Sequence, residues 1–223
     1  MADPALSAGA LLLRALRAPA TLVSLGEAEW DLLLRVGRRT RLLARIDADL
    51  AASGLLERIP AAAAAHLRAA RQVVQHRQTL VSWEVNRVVW ALAALDVPVT
   101  LLKGAAYVLA DLPAARGRLF ADLDLIVPHP RIGEVEQALV DHGWLRMKID
   151  PYDERYYRVW MHEIPPLRHR ERNTEIDIHH AILPRTSRLQ PSPELLLAAA
   201  RPLADPRVSI LSPPDMVLHA LVH

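Results

Sequence analysis

The stretch Asp122-Leu123-Asp124-Leu125-Ile126-Val127 alternates acidic and apolar residues at its start and ends as an apolar run. This pattern predicts a β-strand, in which alternate side chains share a face. We therefore expect Asp122 and Asp124 to lie on one face, and Leu123, Leu125 and Val127 to point into the core. Two carboxylates so close together repel each other, and a cation between them relieves the repulsion. Oxygen ligands of this kind suit Mg²⁺ or Mn²⁺, although a bare Asp-x-Asp also occurs where acids simply begin a strand.

A second stretch further along the chain shows the same alternation of acidic and apolar residues. Residues 174–181 are predicted to form a strand on which Glu175, Asp177 and His179 share one face. If this strand neighbours the first, Asp177 supplies a third carboxylate and completes a site for two metal ions ~3.5–4 Å apart. A charged turn at 170–173 is expected to join it to a strand over 162–169, which its two prolines make an edge or bulged strand.

Lys103-Gly104-Ala105 follows a short apolar strand predicted over Pro98–Leu102 and opens a short helix. A glycine at such a junction lets the backbone approach a ligand, and the first turn of a helix attracts phosphate. Taken alone, these residues are better explained by an ordinary tight turn. Lys103 and Lys148 are the two lysines of a chain that otherwise uses arginine for positive charge.

The composition excludes several classes of protein. The chain has no cysteine, which rules out disulfides, thiolate catalysis and cysteine-ligated zinc. Its formal net charge of +2 is too small to generate the field that long nucleic acids require. No apolar run approaches the ~20 residues of a membrane span, and arginines interrupt the apolar start of the chain, so we expect neither a membrane anchor nor a signal peptide. The expected location is the cytoplasm.

Three regions of the chain differ in pattern. Residues 1–95 read as helices packed on the core, and the last of these is a long helix over 61–95. Residues 96–185 carry the strands, with a helix over 132–142 that Gly143 caps. Residues 186–223 read as helices again, and the apolar face of the last helix meets no stop signal, which predicts missing residues or a partner at that end. The predicted fold class is α+β, a mixed sheet with an N-terminal helical region and a C-terminal helical tail.

Taken in order, these features resemble the bacterial stand-alone nucleotidyltransferase family of the DNA polymerase β-like superfamily. The resemblance covers roughly residues 67–183 and loosely the flanking helices. Each matching piece is short, and the ordered set is what makes the resemblance specific. The matching residues are Leu102-Lys103-Gly104-Ala105, Arg118, Asp122 to Val127, Gly143-Trp144, His162, Pro165-Pro166-Leu167 and Ile176-Asp177-Ile178-His179.

The resemblance implies a catalytic role for each of the three aspartates. Asp122 and Asp124 would ligate Mg²⁺ or Mn²⁺, and Asp177 would share a metal ion and help to deprotonate an acceptor hydroxyl. The substrate would be an NTP such as ATP. Nucleotidyl transfer is an in-line displacement at phosphorus, in which catalysis is mostly positioning and charge neutralisation.

The resemblance also implies a nucleotide-binding turn. Gly104 and the following amides, beginning with Ala105, would cradle the phosphates. The superfamily usually has Gly-Gly or Gly-Ser at this turn, so a serine contact is missing here. Lys103 and Arg118 are the candidates to supply a compensating charge.

The histidines near the third acidic residue are further candidates for the site. His162 and His179 could contact the acceptor or the phosphates, or could simply be packed side chains. A zinc site built from the histidines alone is not expected, because their spacing matches no common zinc motif.

The predicted function is metal-dependent transfer of a nucleoside monophosphate from an NTP to a hydroxyl of a small molecule, a peptide or a protein. Two alternatives stay open. A metal-dependent glycosyltransferase also uses Asp-x-Asp, and a non-catalytic binding module could keep the same fold. The sequence names neither the base nor the acceptor.

Overall fold

A computed structural model describes residues 7–120 and 122–222 of the chain. Its residues group into two compact units, one within 1–79 and 113–119 and the other within 80–112 and 120–223. The three-part division at 95/96 and 185/186 stays a prediction. The helices are α1 (Ala8–Arg17), α2 (Glu27–Arg39), α3 (Leu43–Ala52), α4 (Ala61–Ala91), α5 (Lys103–Leu109), α6 (Ile132–Asp141), α7 (Pro151–Trp160), α8 (Pro193–Ala198) and α9 (Pro213–Val222), and the strands are β1 (Val99–Leu101), β2 (Asp122–Ile126), β3 (Trp144–Arg146), β4 (Leu167–His169), β5 (Glu175–His179), β6 (Arg201–Pro202) and β7 (Val208–Ile210).

The first unit is helical and has its own core. Helices α1, α2, α3 and the first part of α4 each bury one apolar stripe, as the helical spacing of their leucines predicts. Gly117 closes this unit with a backbone φ of 66°, and a Cβ there would lie 2.3 Å from the Arg45 nitrogen. Glycine is therefore required at that position. Fully buried side chains of this core include Leu11, Leu22, Leu33, Ile46, Leu50 and Leu67.

The second unit is built on a mixed sheet. Within the described residues its seven strands lie in the order β3-β4-β5-β2-β1-β7-β6. The pairs β2/β5 and β1/β7 are parallel, and the other neighbours are antiparallel. The α+β class and the mixed sheet are thus as the sequence predicted.

The two faces of the central strands differ in character. Leu123, Leu125, Ile176 and Ile178 face the main core of this unit, which the last part of α4 and helix α6 help to form. The alternate residues of β2 and β5 point to the other face, where Ile126 joins a smaller apolar cluster. The acidic side chains precede Ile126 on that face. The remaining members of the smaller cluster are Leu102, Ile182, Leu196 and Leu211.

Helix α4 ends at Ala91, four residues before the predicted end, and a turn followed by a short irregular segment leads to β1. Helix α6 ends as predicted: Gly143 follows it with a φ of 99°, and its amide donates to the Val140 carbonyl at 3.0 Å. Arginines recur along α4. None of the helices in the described ranges is long and apolar enough to cross a membrane.

The structure adds elements that the sequence pattern did not predict. Helix α7 has no fully buried residue, so it lacks the apolar stripe by which helices are recognised. The C-terminal region was predicted to be helical, yet β6 and β7 lie between α8 and α9, and β7 pairs with β1 inside the sheet. At three residues, Val208–Ile210 is too short to show a strand period.

The strand predicted over 162–169 differs in length and position. β4 covers only Leu167–His169, and it lies between β3 and β5 rather than at an edge. Pro165 and Pro166 precede the strand, so neither proline removes a donor from the ladder. Upstream of them, Glu163 forms an isolated antiparallel bridge with His179.

Candidate active site

Acidic residues from two neighbouring strands meet on one face of the sheet. The parallel register of β2 and β5 pairs Asp122 with Glu175 and Asp124 with Asp177. One carboxylate oxygen from each of the three aspartates lies within 4.8 Å of the other two. Glu175 points its carboxylate at Arg168 on β4, with which it forms an ion pair. The structure therefore brings together Asp122, Asp124 and Asp177, which are distant in the sequence.

Asp124 is the buried member of this cluster, with only 3% of its surface exposed. Its Oδ1 atom accepts hydrogen bonds from Lys103 Nζ at 2.7 Å and from His179 Nε2 at 3.1 Å. Burial acts to raise the pKa of Asp124, but the hydrogen bonds and charges of His179 and Lys103 outweigh it and hold the pKa below its usual value. Asp124 is therefore a fixed negative charge at neutral pH.

The pKa of Asp177 is shifted in the opposite direction. Burial raises the pKa of Asp177 to about 6. The negative charges of Asp124 and Glu163 act in the same direction, and that of Asp122 adds a smaller effect. His179 lowers this pKa but does not compensate for the other causes. Burial and like charge therefore both disfavour the ionised form of Asp177, a combination that is common at functional sites.

The three carboxylates fit a hard divalent cation. Carboxylate oxygen is the donor that Mg²⁺ and Mn²⁺ prefer, and Mg²⁺ is usually bound through a few carboxylates, water and substrate phosphates. Burial first, and then the charges of Asp124 and Glu163, raise the pKa of Asp177 even with Lys103 in place. A bound dication would favour the ionised form of the three carboxylates.

The turn before α5 positions Lys103 over this cluster. The Leu102 amide donates to the Asp124 carbonyl at 2.9 Å, which ties the end of β1 to β2. Lys103 follows with a φ of 46°, in the left-handed region that residues other than glycine rarely adopt. Its ammonium then reaches Asp124, with a quarter of the side chain still exposed.

Gly104 has a packing role in the structure. A Cβ at this position would lie 2.6 Å from Cγ of Phe120, so only glycine lets the phenylalanine ring pack against α5. Ala105 is buried in the core of the same unit. The phosphate contacts predicted for both residues stay predictions.

Arg118 belongs to the other compact unit, with residues 113–119. Its carbonyl accepts a hydrogen bond from Gln78 Nε2 at 3.5 Å, within that unit. The geometry of the carboxylate cluster therefore does not test the predicted contact of Arg118 with the nucleotide, which stays a prediction.

The two predicted histidines lie beside the carboxylates, together with a glutamate that the sequence pattern did not single out. His179 is fully buried, and its Nδ1 lies 3.3 Å from Oε2 of Glu163. His162 is also buried, and its Nε2 lies 3.9 Å from the same oxygen. The sequence feature that could have pointed to Glu163 is its position next to His162, on the segment expected to pair with β5.

The fold and the site define an α+β protein whose mixed sheet carries clustered carboxylates on adjacent parallel strands. Residues 26–223 match the model of a family described as uncharacterised nucleotidyltransferase, and the chain belongs to that family. No curated protein and no solved structure matches the chain. The family agrees with the resemblance noted from the sequence.

Proposed function

We propose that this protein transfers a nucleoside monophosphate from an NTP to the hydroxyl of a small molecule, a peptide or a protein. The observation that carries the proposal is the convergence of Asp122, Asp124 and Asp177 on one face of the sheet, in a chain of a nucleotidyltransferase family. In the reaction the acceptor oxygen bonds to the α-phosphorus, the bond from that phosphorus to the bridging oxygen breaks, and pyrophosphate leaves.

The three aspartates would hold Mg²⁺ or Mn²⁺. An ion held there would neutralise negative charge on the phosphates and on the leaving group. Asp124 is suited to the task because it stays ionised and is held in place by Lys103 and His179. Asp122 is the more exposed of the two residues on β2, which suits a ligand facing the substrate.

Asp177 is our candidate for the proton acceptor. Its carboxylate lies with those of Asp122 and Asp124 on one face of the sheet, so an acceptor hydroxyl bound to the metal ion would lie beside it. It would accept the hydroxyl proton of the acceptor as the new bond to phosphorus forms.

The nucleotide phosphates are proposed to bind at the turn before α5. Lys103 would contact a phosphate oxygen from its position over Asp124, and the amides of Gly104 and Ala105 would contribute hydrogen bonds. Arg118 is proposed as an additional cationic contact. The acceptor is proposed not to be a long nucleic acid, because a net charge of +2 provides no strong field. The cytoplasmic location stays a prediction.

Release of pyrophosphate tests the proposed reaction. The protein would be incubated with each NTP and Mg²⁺ in the presence of pooled small-molecule, peptide and protein acceptors, and pyrophosphate would be quantified. We expect release that requires both the metal and an acceptor, and that falls at least ~100-fold in Asp122→Asn. Asp141→Asn, which changes an exposed aspartate on α6, is the matched control and should retain the rate. Equal rates in the two variants would contradict the proposal.

A non-catalytic binding module is the second candidate, and one observation favours it. The Lys103 ammonium already neutralises Asp124, which is the role that a metal ion would otherwise take. A module of this kind should bind an NTP without any acceptor-dependent release of pyrophosphate, so the same experiment combined with a binding measurement separates the two candidates.

A further inference from the structure

We propose that His162, Glu163 and His179 form a second metal site, which takes Zn²⁺ or a similar transition-metal dication and is distinct from the carboxylate cluster. The three residues offer two imidazole nitrogens and one carboxylate oxygen within 4.8 Å of one another. Nucleotidyl transfer as proposed above does not require this site, and the inference stands independently of it.

The backbone brings the three side chains together. Glu163 and His179 are directly opposite each other in an antiparallel bridge. The amides of His180 and Ala181 both donate to the His162 carbonyl, at 2.8 and 3.3 Å, which fixes the residue before the bridge. One end of the cluster is therefore fixed by strand β5, and the other by an isolated bridge and backbone hydrogen bonds to it.

Each ring nitrogen of His179 faces a carboxylate oxygen. Its Nε2 faces Asp124 Oδ1 at 3.1 Å, and its Nδ1 faces Glu163 Oε2 at 3.3 Å. Glu163 Oε2 and His179 Nδ1 are therefore close enough to bind one ion, while Nε2 stays directed at the Asp124 carboxylate. A metal ion bound there would take the place of a proton between Nδ1 and Glu163, because a histidine ligand binds a metal through an unprotonated nitrogen.

The spacing of the ligand atoms suits an ion of the zinc type. Zn²⁺ binds histidine nitrogen and carboxylate oxygen at about 2.0–2.2 Å, which separates tetrahedral ligands by about 3.3–3.6 Å. The distances from Glu163 Oε2 to His179 Nδ1 and to His162 Nε2 are 3.3 and 3.9 Å. Small movements of the His162 side chain would therefore complete the geometry. Three protein ligands leave a fourth position for water or substrate.

Asp124 supplies the support that a histidine ligand usually has. A metal-binding histidine commonly donates its other ring N–H to a carboxylate, which fixes the tautomer and the ring orientation. His179 has this relation to Asp124, whose Oδ1 also accepts from Lys103. Two nitrogen donors distinguish the site from the all-oxygen cluster beside it, because imidazole favours Zn²⁺ and its neighbours over Mg²⁺.

Co²⁺ is the probe for this site, because its visible absorption reports nitrogen ligation in a site of low coordination number. Protein free of any affinity tag would be titrated with Co²⁺ in the presence of excess Mg²⁺, and then with Zn²⁺. We expect one equivalent of Co²⁺ to give the visible bands and Zn²⁺ to abolish them. His162→Gln and Glu163→Gln should each weaken binding more than ~100-fold, beyond the 10–100-fold effects typical of residues that only orient a ligand.

Two control variants separate this site from other sources of binding. His76→Gln removes an exposed histidine of the first unit and should bind Co²⁺ as wild type does. Asp122→Asn alters the carboxylate cluster alone and should also retain the bands. Circular dichroism of each variant would identify any that fail to fold. If His162→Gln does not fold, Glu163→Gln provides the test in its place. Absence of the bands in wild type, or their loss in Asp122→Asn but not in His162→Gln, would overturn the proposal.

Discussion

Asp177 has the least favourable charge environment of the carboxylate cluster, and this makes the stability of the apoprotein depend on pH. Its pKa is about 6 in the folded protein and near 3.8 when the chain is unfolded. Between these values the folded state binds the proton more tightly, so this residue's contribution to the free energy of unfolding falls as pH rises through 6.

Asp177→Asn is therefore expected to stabilise the metal-free protein at pH 8 by roughly 1–3 kcal/mol and to change it little at pH 4. Denaturant unfolding in a chelator at both values of pH measures this difference. Added Mg²⁺ should stabilise wild type but not the variant. A variant that is less stable than wild type at pH 8 would show that the carboxylate is held by favourable contacts instead.

Lys103 stabilises the same cluster through Asp124, and its removal leaves that buried carboxylate with the hydrogen bond from His179 but without the ammonium. We expect Lys103→Met to lower the free energy of unfolding in a chelator by ~2–4 kcal/mol, because breaking a buried pair costs more than the pair contributes. Saturating Mg²⁺ should recover much of the loss. Lys148→Met, which removes the other and exposed lysine, is the matched control and should change stability by less than ~0.5 kcal/mol. Equal losses with and without Mg²⁺ would contradict this account of the ammonium.

The turn between β1 and α5 depends on the packing of Phe120 against Gly104. Gly104→Ala is expected to destabilise the protein by ~1–3 kcal/mol, because the new methyl group overlaps the ring. Gly133→Ala on α6 has no atom within 4 Å of the new methyl group and should be neutral or gain up to ~1 kcal/mol.

A double-mutant cycle with Phe120→Leu assigns the loss to this contact. We expect Gly104→Ala to cost clearly less in the Phe120→Leu background than in wild type. An unchanged cost would mean that Gly104 is needed for its backbone alone.

The strands that bear the site were predictable because their signal is local. Asp122 and Asp124 alternate with leucine, and Asp177 alternates with isoleucine, so the sequence itself assigns these acids to one face. Their convergence follows once the two strands are neighbours. No single stretch of sequence tells which strand pairs with which. The resemblance to a known family indicated that these two strands are neighbours.

The position of Glu163 could not be read in the same way. The register of β4 and β5 pairs Arg168 with Glu175, and if it continued unbroken Ile164 would face His179. The structure pairs Glu163 with His179 instead, because Pro165 and Pro166, which lie between Glu163 and β4, displace the register by one residue. A shift of one residue exchanges the faces of a strand, so the glutamate joins the site only through this irregularity.

The two compact units predict how the chain tolerates division. The last part of α4 supplies Val81, Val85 and Val88 to the core around the sheet, and its buried Glu84 accepts hydrogen bonds from Arg172 at 2.7–3.3 Å. A fragment of residues 96–223 lacks all of these. We expect it to show no cooperative unfolding transition, whereas a fragment of residues 80–223 should show one.

Circular dichroism of the two fragments with increasing denaturant provides the measurement. The reason for the difference is the loss of three buried valines, each contributing ~1.5 kcal/mol or more, together with an arginine left without its carboxylate. A stable, folded fragment beginning near residue 96 would show instead that α4 is dispensable for the sheet.

The central claim is that Asp122, Asp124 and Asp177 bind a metal ion that an NTP requires. Isothermal titration of the whole protein with each NTP, with Mg²⁺ or with a chelator, tests it most directly. We predict one NTP bound per chain with Mg²⁺, weakened at least ~100-fold by the chelator and by Asp122→Asn, and unchanged in Asp141→Asn. Equal affinity with Mg²⁺ and with the chelator, in wild type and in Asp122→Asn alike, would contradict the account.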